Sequence, residues 1–567
     1  MQPVLNITGL SVQFKQDGKK QDAVHHFSLD VFKGKITALV GESGSGKSVT
    51  ALSILHLLPT QASIGGQILF NEPAGSLDIS RLDSKSLNSI RGKRIGMIFQ
   101  EPMTSLNPVI SCGEQVAESI RLHQKVSAAE ARKKTIELFK KVELPLPEAM
   151  YQRYPHQLSG GQKQRVMIAM AICCEPALLI ADEPTTALDV RVQKSIMELL
   201  KKLQQETGMG ILLITHDLGL VADYAHNITV MHKGKIVEQG NCQDVLLNPV
   251  EAYTKLLLAS KPRPAMKGKP LPTPEGYNAS RNTGISATVK PIISDQKNNP
   301  ALSVQNLSVE YSSSGFMSQR KMQFKAVDNV SFEVHQHETV GLVGESGCGK
   351  TTLGKAILQL IKPSAGKILF NGKDLTAIKK NEQQQMRKEL QVVFQDPYGS
   401  LNPRLTIGDA IMEPMKVHGL FNSFKHRRDQ AATLLEKVNL DPDHLNRHPH
   451  QFSGGQRQRI CIARALATEP SFLVFDESVS ALDTIVQAQV LNLINELKSS
   501  YNFTSLFISH DLSVIHYISD RILVMQQGKI VEQGTADEIM FHPANEYTKE
   551  LIASIPGKST GFSFYSL

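Results

Sequence analysis

Short apolar runs recur at matching places in the two halves of this chain. Ile36–Val40 and Thr339–Val343 each run into a glycine-rich loop, Leu178–Ala181 and Phe472–Phe475 end in acids, and Ile211–Ile214 and Leu506–Ile508 stop just before a histidine. Their lack of polar alternation predicts strands buried on both faces, as in a largely parallel sheet covered by helices. Two polar, helix-rich stretches, Asn107 to about Tyr154 and Asn402 to about Pro449, break this pattern and predict an inserted helical subdomain in each half.

The recurrence is a tandem repeat. Gly41-Glu-Ser-Gly-Ser-Gly-Lys47-Ser48 returns as Gly344-Glu-Ser-Gly-Cys-Gly-Lys350-Thr351 at an offset of 303. Gln100-Glu-Pro-Met-Thr-Ser-Leu-Asn-Pro108 returns at 395–403, Ser159-Gly-Gly-Gln162 at 453–456, Asp182-Glu183 at 476–477 and His216-Asp217 at 510–511, with offsets of 295 for the first and 294 for the rest. The falling offset predicts about eight extra residues in the first copy, expected around Asn71 to Asn88. The expected domains are therefore 1–260 and 301–567, joined by 261–300. That segment holds seven prolines and lacks apolar periodicity, which predicts an extended tether.

Composition narrows the class. With 41% hydrophobic and 20% charged residues among 567, disorder and coiled-coil readings fall away. No apolar run approaches the roughly 18 to 20 residues of a membrane-spanning helix, and Met1–Asn6 carries no secretory signal pattern. Six cysteines without paired spacing suit a reducing compartment. The net charge of +8 is spread along the chain, so it argues only weakly for nucleic acid and fits an anionic ligand or lipid headgroups equally well.

The loop pattern G-x-x-x-x-G-K-[ST] after a predicted strand reads as a phosphate cradle. Gly41, Ser43, Gly44, Gly46, Lys47, Ser48 and Val49, and likewise Gly344, Ser346, Gly347, Gly349, Lys350, Thr351 and Thr352, bring backbone donors, an ammonium and a hydroxyl for Mg2+ to one point. Asp182 and Asp476 at strand ends can hold the metal, and Glu183 and Glu477 can orient an attacking water. Ser159, Gly161 and Gln162, with Ser453, Gly455 and Gln456, open helices whose donors suit a nucleotide held by the other copy. Cys348, in place of Ser45, is either a reactive thiolate or an inert thiol.

Phosphate loop, glutamine loop, SGGQ signature, Asp-Glu, the following Ala187-Leu188-Asp189 or Ala481-Leu482-Asp483, and a histidine, in this order, resemble the nucleotide-binding domain of the ABC ATPases. The resemblance covers both copies. It implies an α/β fold: a RecA-like parallel-sheet core, an antiparallel β subdomain and an inserted helical subdomain, twice. It also implies an intrachain head-to-tail pseudo-dimer holding two ATP molecules, with Lys47 facing Ser453 and Lys350 facing Ser159. Gln100 and Gln395 would sense Mg2+ and the water, His216 and His510 would contact the γ-phosphate, and Phe14 and Tyr311 would stack on adenine.

Narrower features follow the glutamine loops and close each copy: the Gln-[Glu/Asp]-Pro-x-x-Ser-Leu-Asn-Pro runs and the tails Asn248-Pro249…Tyr253-Thr254 and His542-Pro543…Tyr547-Thr548 are similar to the oligopeptide/dipeptide/nickel importer ATPases. Fusion of the copies, Ser48–Leu55 and Asn402–Leu405 bring the likeness nearest to Yej-type tandem peptide-importer ATPases, with the glutathione importers as neighbours. Some relatives carry a cysteine cluster for an iron–sulfur centre, but positions 243–347 contain no cysteine. The family implies a magnesium-dependent ATPase peripheral to the cytoplasmic face of the bacterial inner membrane. Its expected partners are two transmembrane permeases, through which it meets the membrane, and an extracytoplasmic substrate-binding protein, with no nucleic acid. Tandem ABC ATPases that act on ribosomes or DNA are the competing class.

Overall fold

The computed structural model describes residues 2–16, 19–72, 75–100, 105–186, 188–274, 300–313 and 322–557. The chain divides into two compact units, Met1–Ala259 with Pro556–Leu567, and Ser260–Ile555.

In the first unit the strands are β1 (Pro3–Gln16), β2 (Lys19–Phe32), β3 (Ile36–Val40), β4 (Ala62–Glu72), β5 (Gly75–Asp78), β6 (Ile95–Ile98), β7 (Leu178–Asp182), β8 (Gly210–Thr215), β9 (Asn227–His232) and β10 (Lys235–Asn241). An antiparallel sheet has the order β2-β1-β4-β5, and a second sheet the order β10-β9-β3-β8-β7-β6. The second sheet is parallel except for the β9–β10 pair.

Alternate residues of the parallel strands serve two cores, which is why their sequence shows no polar alternation. Ile36, Leu179, Ala181, Ile211 and Leu213 pack with Val166 and Ile168 of the helix Gly160–Ile172. Leu39, Leu178, Ile180, Leu212 and Ile214 turn the other way, onto Val12, Phe27 and Phe70 of the antiparallel sheet. The helices Cys112–Gln124, Ala128–Lys141 and Pro147–Gln152 form the inserted subdomain. Ser111 and Ser127 cap the first two by accepting the Glu114 and Glu130 N–H groups, and Val116, Ile120 and Phe139 are buried.

The second unit repeats the plan. Its strands are β11 (Pro300–Ser313), β12 (Met322–His335), β13 (Thr339–Val343), β14 (Ala365–Phe370), β15 (Lys373–Asp374), β16 (Leu390–Val393), β17 (Phe472–Asp476), β18 (Thr504–Ser509), β19 (Arg521–Gln526) and β20 (Lys529–Thr535). They form sheets of order β12-β11-β14-β15 and β16-β17-β18-β13-β19-β20. The helices Ile407–Val417 and Phe424–Lys437 lie in the inserted stretch.

Two expectations change. Phe70 pairs with Leu5 as Phe370 pairs with Leu302, so the offset has already fallen from 303 to 300 before Asn71. Asp78 and Asp374 hold matching places opposite Leu69 and Leu369, where the offset is 296. The extra residues are therefore split between the approach to β4 and the β4–β5 hairpin. The second change concerns the proline-rich segment, expected as an extended tether from Lys261. Its first part is packed into the second unit, while 275–299 lies outside the described residues.

A side-chain amide can donate and accept at once, and one amide takes both backbone polar groups of Leu271. The Leu271 N–H donates to Asn492 Oδ1 at 2.8 Å, and Asn492 Nδ2 donates to the Leu271 carbonyl at 2.8 Å. Tyr517 Oη donates to the Lys269 carbonyl at 2.9 Å, and the Leu271 side chain is buried. Asn492→Ala is expected to destabilise the second unit by about 1–3 kcal/mol, read as a lower urea midpoint. An unchanged midpoint would show that this strap adds nothing to the fold.

Candidate functional site

In each copy a fully buried central strand delivers a glycine loop to the head of a helix. β3 leads to the helix Lys47–Ile54, and β13 to Lys350–Ile357. The residues just before these helices, Gly46 and Gly349, have φ of 106° and 110°, a left-handed region that favours glycine. A Cβ on Gly46 would lie 2.8 Å from the Ala23 carbonyl oxygen, and one on Gly349 2.1 Å from that of Ala326. Only glycine fits there. The loops thereby fold back on their lysines. Lys47 Nζ donates to the Gly41 and Glu42 carbonyls at 2.8 Å each, and Lys350 Nζ to Gly344 and Glu345 at 2.8 Å each. Both lysines are buried, whereas Ser43 and Gly44, and Ser346 and Gly347, are exposed at the loop crests. Val49 and Thr352 are partly buried in the first helical turns.

The ends of β7 and β17 bring the acids. Ser48 Oγ donates to Asp182 Oδ1 at 3.2 Å, and Thr351 Oγ1 to Asp476 Oδ1 at 3.0 Å. Burial pushes the Asp182 carboxyl up to about 6 against the pull of the Ser48 hydroxyl, and burial raises Asp476 in the same way.

The next residue turns sharply: Glu183 and Glu477 have φ of 47° and 48°. Their N–H groups donate to Ile214 and Ile508 carbonyls at 2.9 Å, tying each turn to the neighbouring strand. Glu183 Oε2 accepts from Gln100 Nε2 at 3.2 Å and from Thr186 Oγ1 at 2.8 Å, while Oε1 lies 3.3 Å from His216 Nδ1. Glu477 accepts from Gln395 Nε2 at 2.9 Å, stands 3.5 Å from His510 Nδ1 and has Lys350 Nζ at 3.9 Å.

Burial alone would raise the Glu183 carboxyl, but His216, Thr186 and Lys47 together outweigh it and hold it down to about 2. Burial opposes charge on His216 as well, yet the Glu183 carboxylate raises its pKa overall. Glu477 is lowered too, against burial, by His510 and Lys350. The counterpart of Thr186 is Ser480, whose buried hydroxyl has no hydrogen-bond partner among the described residues. In this arrangement the carboxylate is ionised but weakly basic, and transfer of the histidine to another anion would restore its basicity.

Within each copy the structure thus joins the predicted loop lysine and hydroxyl, Asp, Glu, Gln and His into one constellation. The signature residues are bonded to one another: Ser159 Oγ accepts the Gln162 N–H and Gln162 Oε1 accepts the Ser159 N–H, with Ser453 and Gln456 doing the same. A Cβ on Gly161 or Gly455 would lie 2.6 or 2.2 Å from a valine methyl, Val192 or Val486. Asp189 and Asp483 cap the next helices by accepting the Val192 and Val486 N–H groups at 3.0 Å; Ala187 lies outside the described residues. Tyr311 is 44% exposed on β11, whereas Phe14 is partly buried against the first antiparallel sheet. Cys348 is buried, and burial pushes its thiol up despite Lys350, so the structure favours the inert thiol over a reactive thiolate.

The pattern described as "ABC transporter" matches residues 24–186 and 327–480, together more than half of the chain. The chain belongs to the ABC transporter family. A second pattern, "Oligopeptide/dipeptide transporter, C-terminal region", matches 237–285 and 531–560. The "Glutathione import ATP-binding protein GsiA" of Salmonella choleraesuis (strain SC-B67) is 45% identical over 98% of this chain and 89% of its own length. The proteins of the same name from Pectobacterium atrosepticum and Escherichia coli (strain K12) are each 44% identical over the same shares. The chain is thus a tandem ATP-binding protein of an ABC importer of the oligopeptide/dipeptide family, and among the described residues no helix is long and apolar enough to cross a membrane.

Sequence reading assigned no role to Thr186 or to the tail tyrosines. Tyr253 and Tyr547 share the offset of 294 with the signature, acid and histidine motifs, and that coincidence was the available signal.

Asp182 passes from mostly protonated to ionised between about pH 5 and 7, because its carboxyl sits at about 6. Cation affinity at this acid is therefore expected to rise with pH across that window, with Ser48→Ala shifting the rise upward. Calorimetric titration of Mg2+ at pH 5.5 and 7.5 checks both. Cys348 is expected to resist iodoacetamide at neutral pH in the folded chain, read by peptide mass.

Proposed function

We propose that this chain is the ATP-hydrolysing, energy-coupling subunit of an ABC importer for small peptides, with glutathione as the transported solute. The observation that carries the substrate is the series of glutathione import ATP-binding proteins that are 44–45% identical over 98% of the chain. A Yej-type peptide is the second reading, favoured by Ser48–Leu55 and Asn402–Leu405. The importer-type tails weigh against action on ribosomes or DNA.

Ser48, Asp182 and Gln100, and Thr351, Asp476 and Gln395, would hold Mg2+. The hydroxyl and carboxylate oxygens, 3.2 and 3.0 Å apart in the two copies, are the hard donors this ion selects. Bound there, Mg2+ neutralises charge on phosphate oxygens. Lys47 and Lys350 and the loop amides cradle the phosphates. Glu183 and Glu477 direct the attacking water, His216 and His510 meet the terminal phosphate, and Tyr311 and Phe14 stack on adenine. Ser159, Gly161 and Gln162 serve the nucleotide of the second copy, and Ser453, Gly455 and Gln456 that of the first. ATP favours the closed arrangement of the copies and hydrolysis releases it, which moves two partner permeases fed by an extracytoplasmic binding protein. The chain accordingly works at the cytoplasmic face of a bacterial inner membrane.

Glu183→Gln and Glu477→Gln are each expected to slow ATP hydrolysis while leaving ATP binding intact, with the double variant down by at least ~100-fold. Hydrolysis untouched by either change would end the two-site reading. Cells lacking the chain should lose uptake of labelled glutathione and regain it on complementation. Restored uptake of a different peptide or of nickel, without glutathione, would reassign the substrate.

A further inference from the structure

The tail of each copy reaches the phosphate loop of the same copy. Tyr253, on the helix Ala252–Ala259, accepts the Glu42 N–H on its hydroxyl oxygen at 3.2 Å. Tyr547, on the helix Glu546–Ala553, accepts the Glu345 N–H at 3.1 Å. Glu42 and Glu345 are the residues whose carbonyls receive the lysine ammonium at 2.8 Å. One residue thus has its N–H held by the tail and its carbonyl held by the catalytic lysine, and the same arrangement occurs independently in both copies.

We propose that Tyr253 and Tyr547 are positioning residues of the two ATP sites, setting through Glu42 and Glu345 the place of Lys47 and Lys350. The contact is built from the tail side as well. Glu238 of β10 accepts the Val250 and Glu251 N–H groups at 2.8 and 3.2 Å, just before the first tyrosine. Glu532 of β20 accepts the Ala544 N–H at 2.6 Å, just before the second. The hairpin strand therefore fixes the start of each tail helix, and the helix delivers the hydroxyl to the loop.

Both tyrosines fall within the stretches matched by the oligopeptide/dipeptide C-terminal pattern, so this tail has a task at the nucleotide besides marking the family. The two copies differ around the hydroxyl. Tyr547 is 5% exposed, whereas Tyr253 is half-buried and lies against the His232 ring, with centroids 4.0 Å apart. Gln526 takes the place of His232 in the second copy.

The test replaces only the hydroxyl, in the full-length chain. Tyr253→Phe and Tyr547→Phe, each added to a parent carrying the hydrolysis-blocking substitution in the other copy, are expected to raise the KM for ATP roughly five-fold over that parent, the effect of one lost hydrogen bond, with kcat held at the parent's value. The nucleotide-free melting temperature should stay within about 2 °C of wild type, the range of a sub-kcal change in a large domain. Hydrogen–deuterium exchange should speed up in the peptides carrying residues 41–47 and 344–350, and only there. Unchanged KM and unchanged loop exchange in both Phe variants would overturn the proposal, above all if Tyr253→Ala and Tyr547→Ala lower the melting temperature, since the rings would then serve packing alone. Accelerated exchange throughout the unit would overturn it too, as that marks general destabilisation.

Discussion

A buried ammonium has to be satisfied by something, and in this chain the phosphate loop does it. Lys47 and Lys350 are 5% and 4% exposed, and each donates to two carbonyls of its own loop. Burying such a charge without partners is prohibitive, so the loop must curl until its carbonyls converge. The curl demands left-handed glycines before the helix, and the buried strand ahead of it fixes where the curl begins. The acids at the ends of β7 and β17 then stand opposite the hydroxyl that follows the lysine. Much of the remaining architecture serves to hold this arrangement rigid.

The electrostatics of the site follow from burial and partner choice. Burial and the neighbouring Glu183 charge raise Asp182 against the Ser48 hydroxyl and Lys47; Glu183, beside it and also buried, has His216 and Thr186 as well as Lys47 and is lowered. Adjacent carboxylates pushed in opposite directions are a common sign of divided roles, one suited to a cation and the other to a proton. The second copy keeps the directions but has Ser480 in place of Thr186, and among the described residues that hydroxyl makes no bond to Glu477 or any other partner.

Much of this was legible in the sequence because the signals were local. Strand runs such as Ile36–Val40 announce double-sided burial, and the loop, acid and histidine motifs lie where those strands end. What was not legible came from contacts distant along the chain. Tyr253 meets Glu42 from 211 residues away, and Leu271 meets Asn492 from 221. No periodicity encodes such pairings, and a proline-rich stretch reads as tether whether or not one leucine in it finds a pocket. The state of Cys348 was equally hidden, since the loop's dipoles argue for a thiolate and only the packing around the sulfur decides against it.

The left-handed glutamates carry a backbone cost in both copies. A non-glycine residue at φ near 47° costs on the order of 1–3 kcal/mol, and glycine would remove the strain at Glu183 or Glu477 at once. Both copies carry it, with φ of 47° and 48°. In each unit the strained residue is the one whose N–H is tied to the neighbouring strand and whose carboxylate faces the histidine, so relieving the strain with glycine would also remove that carboxylate.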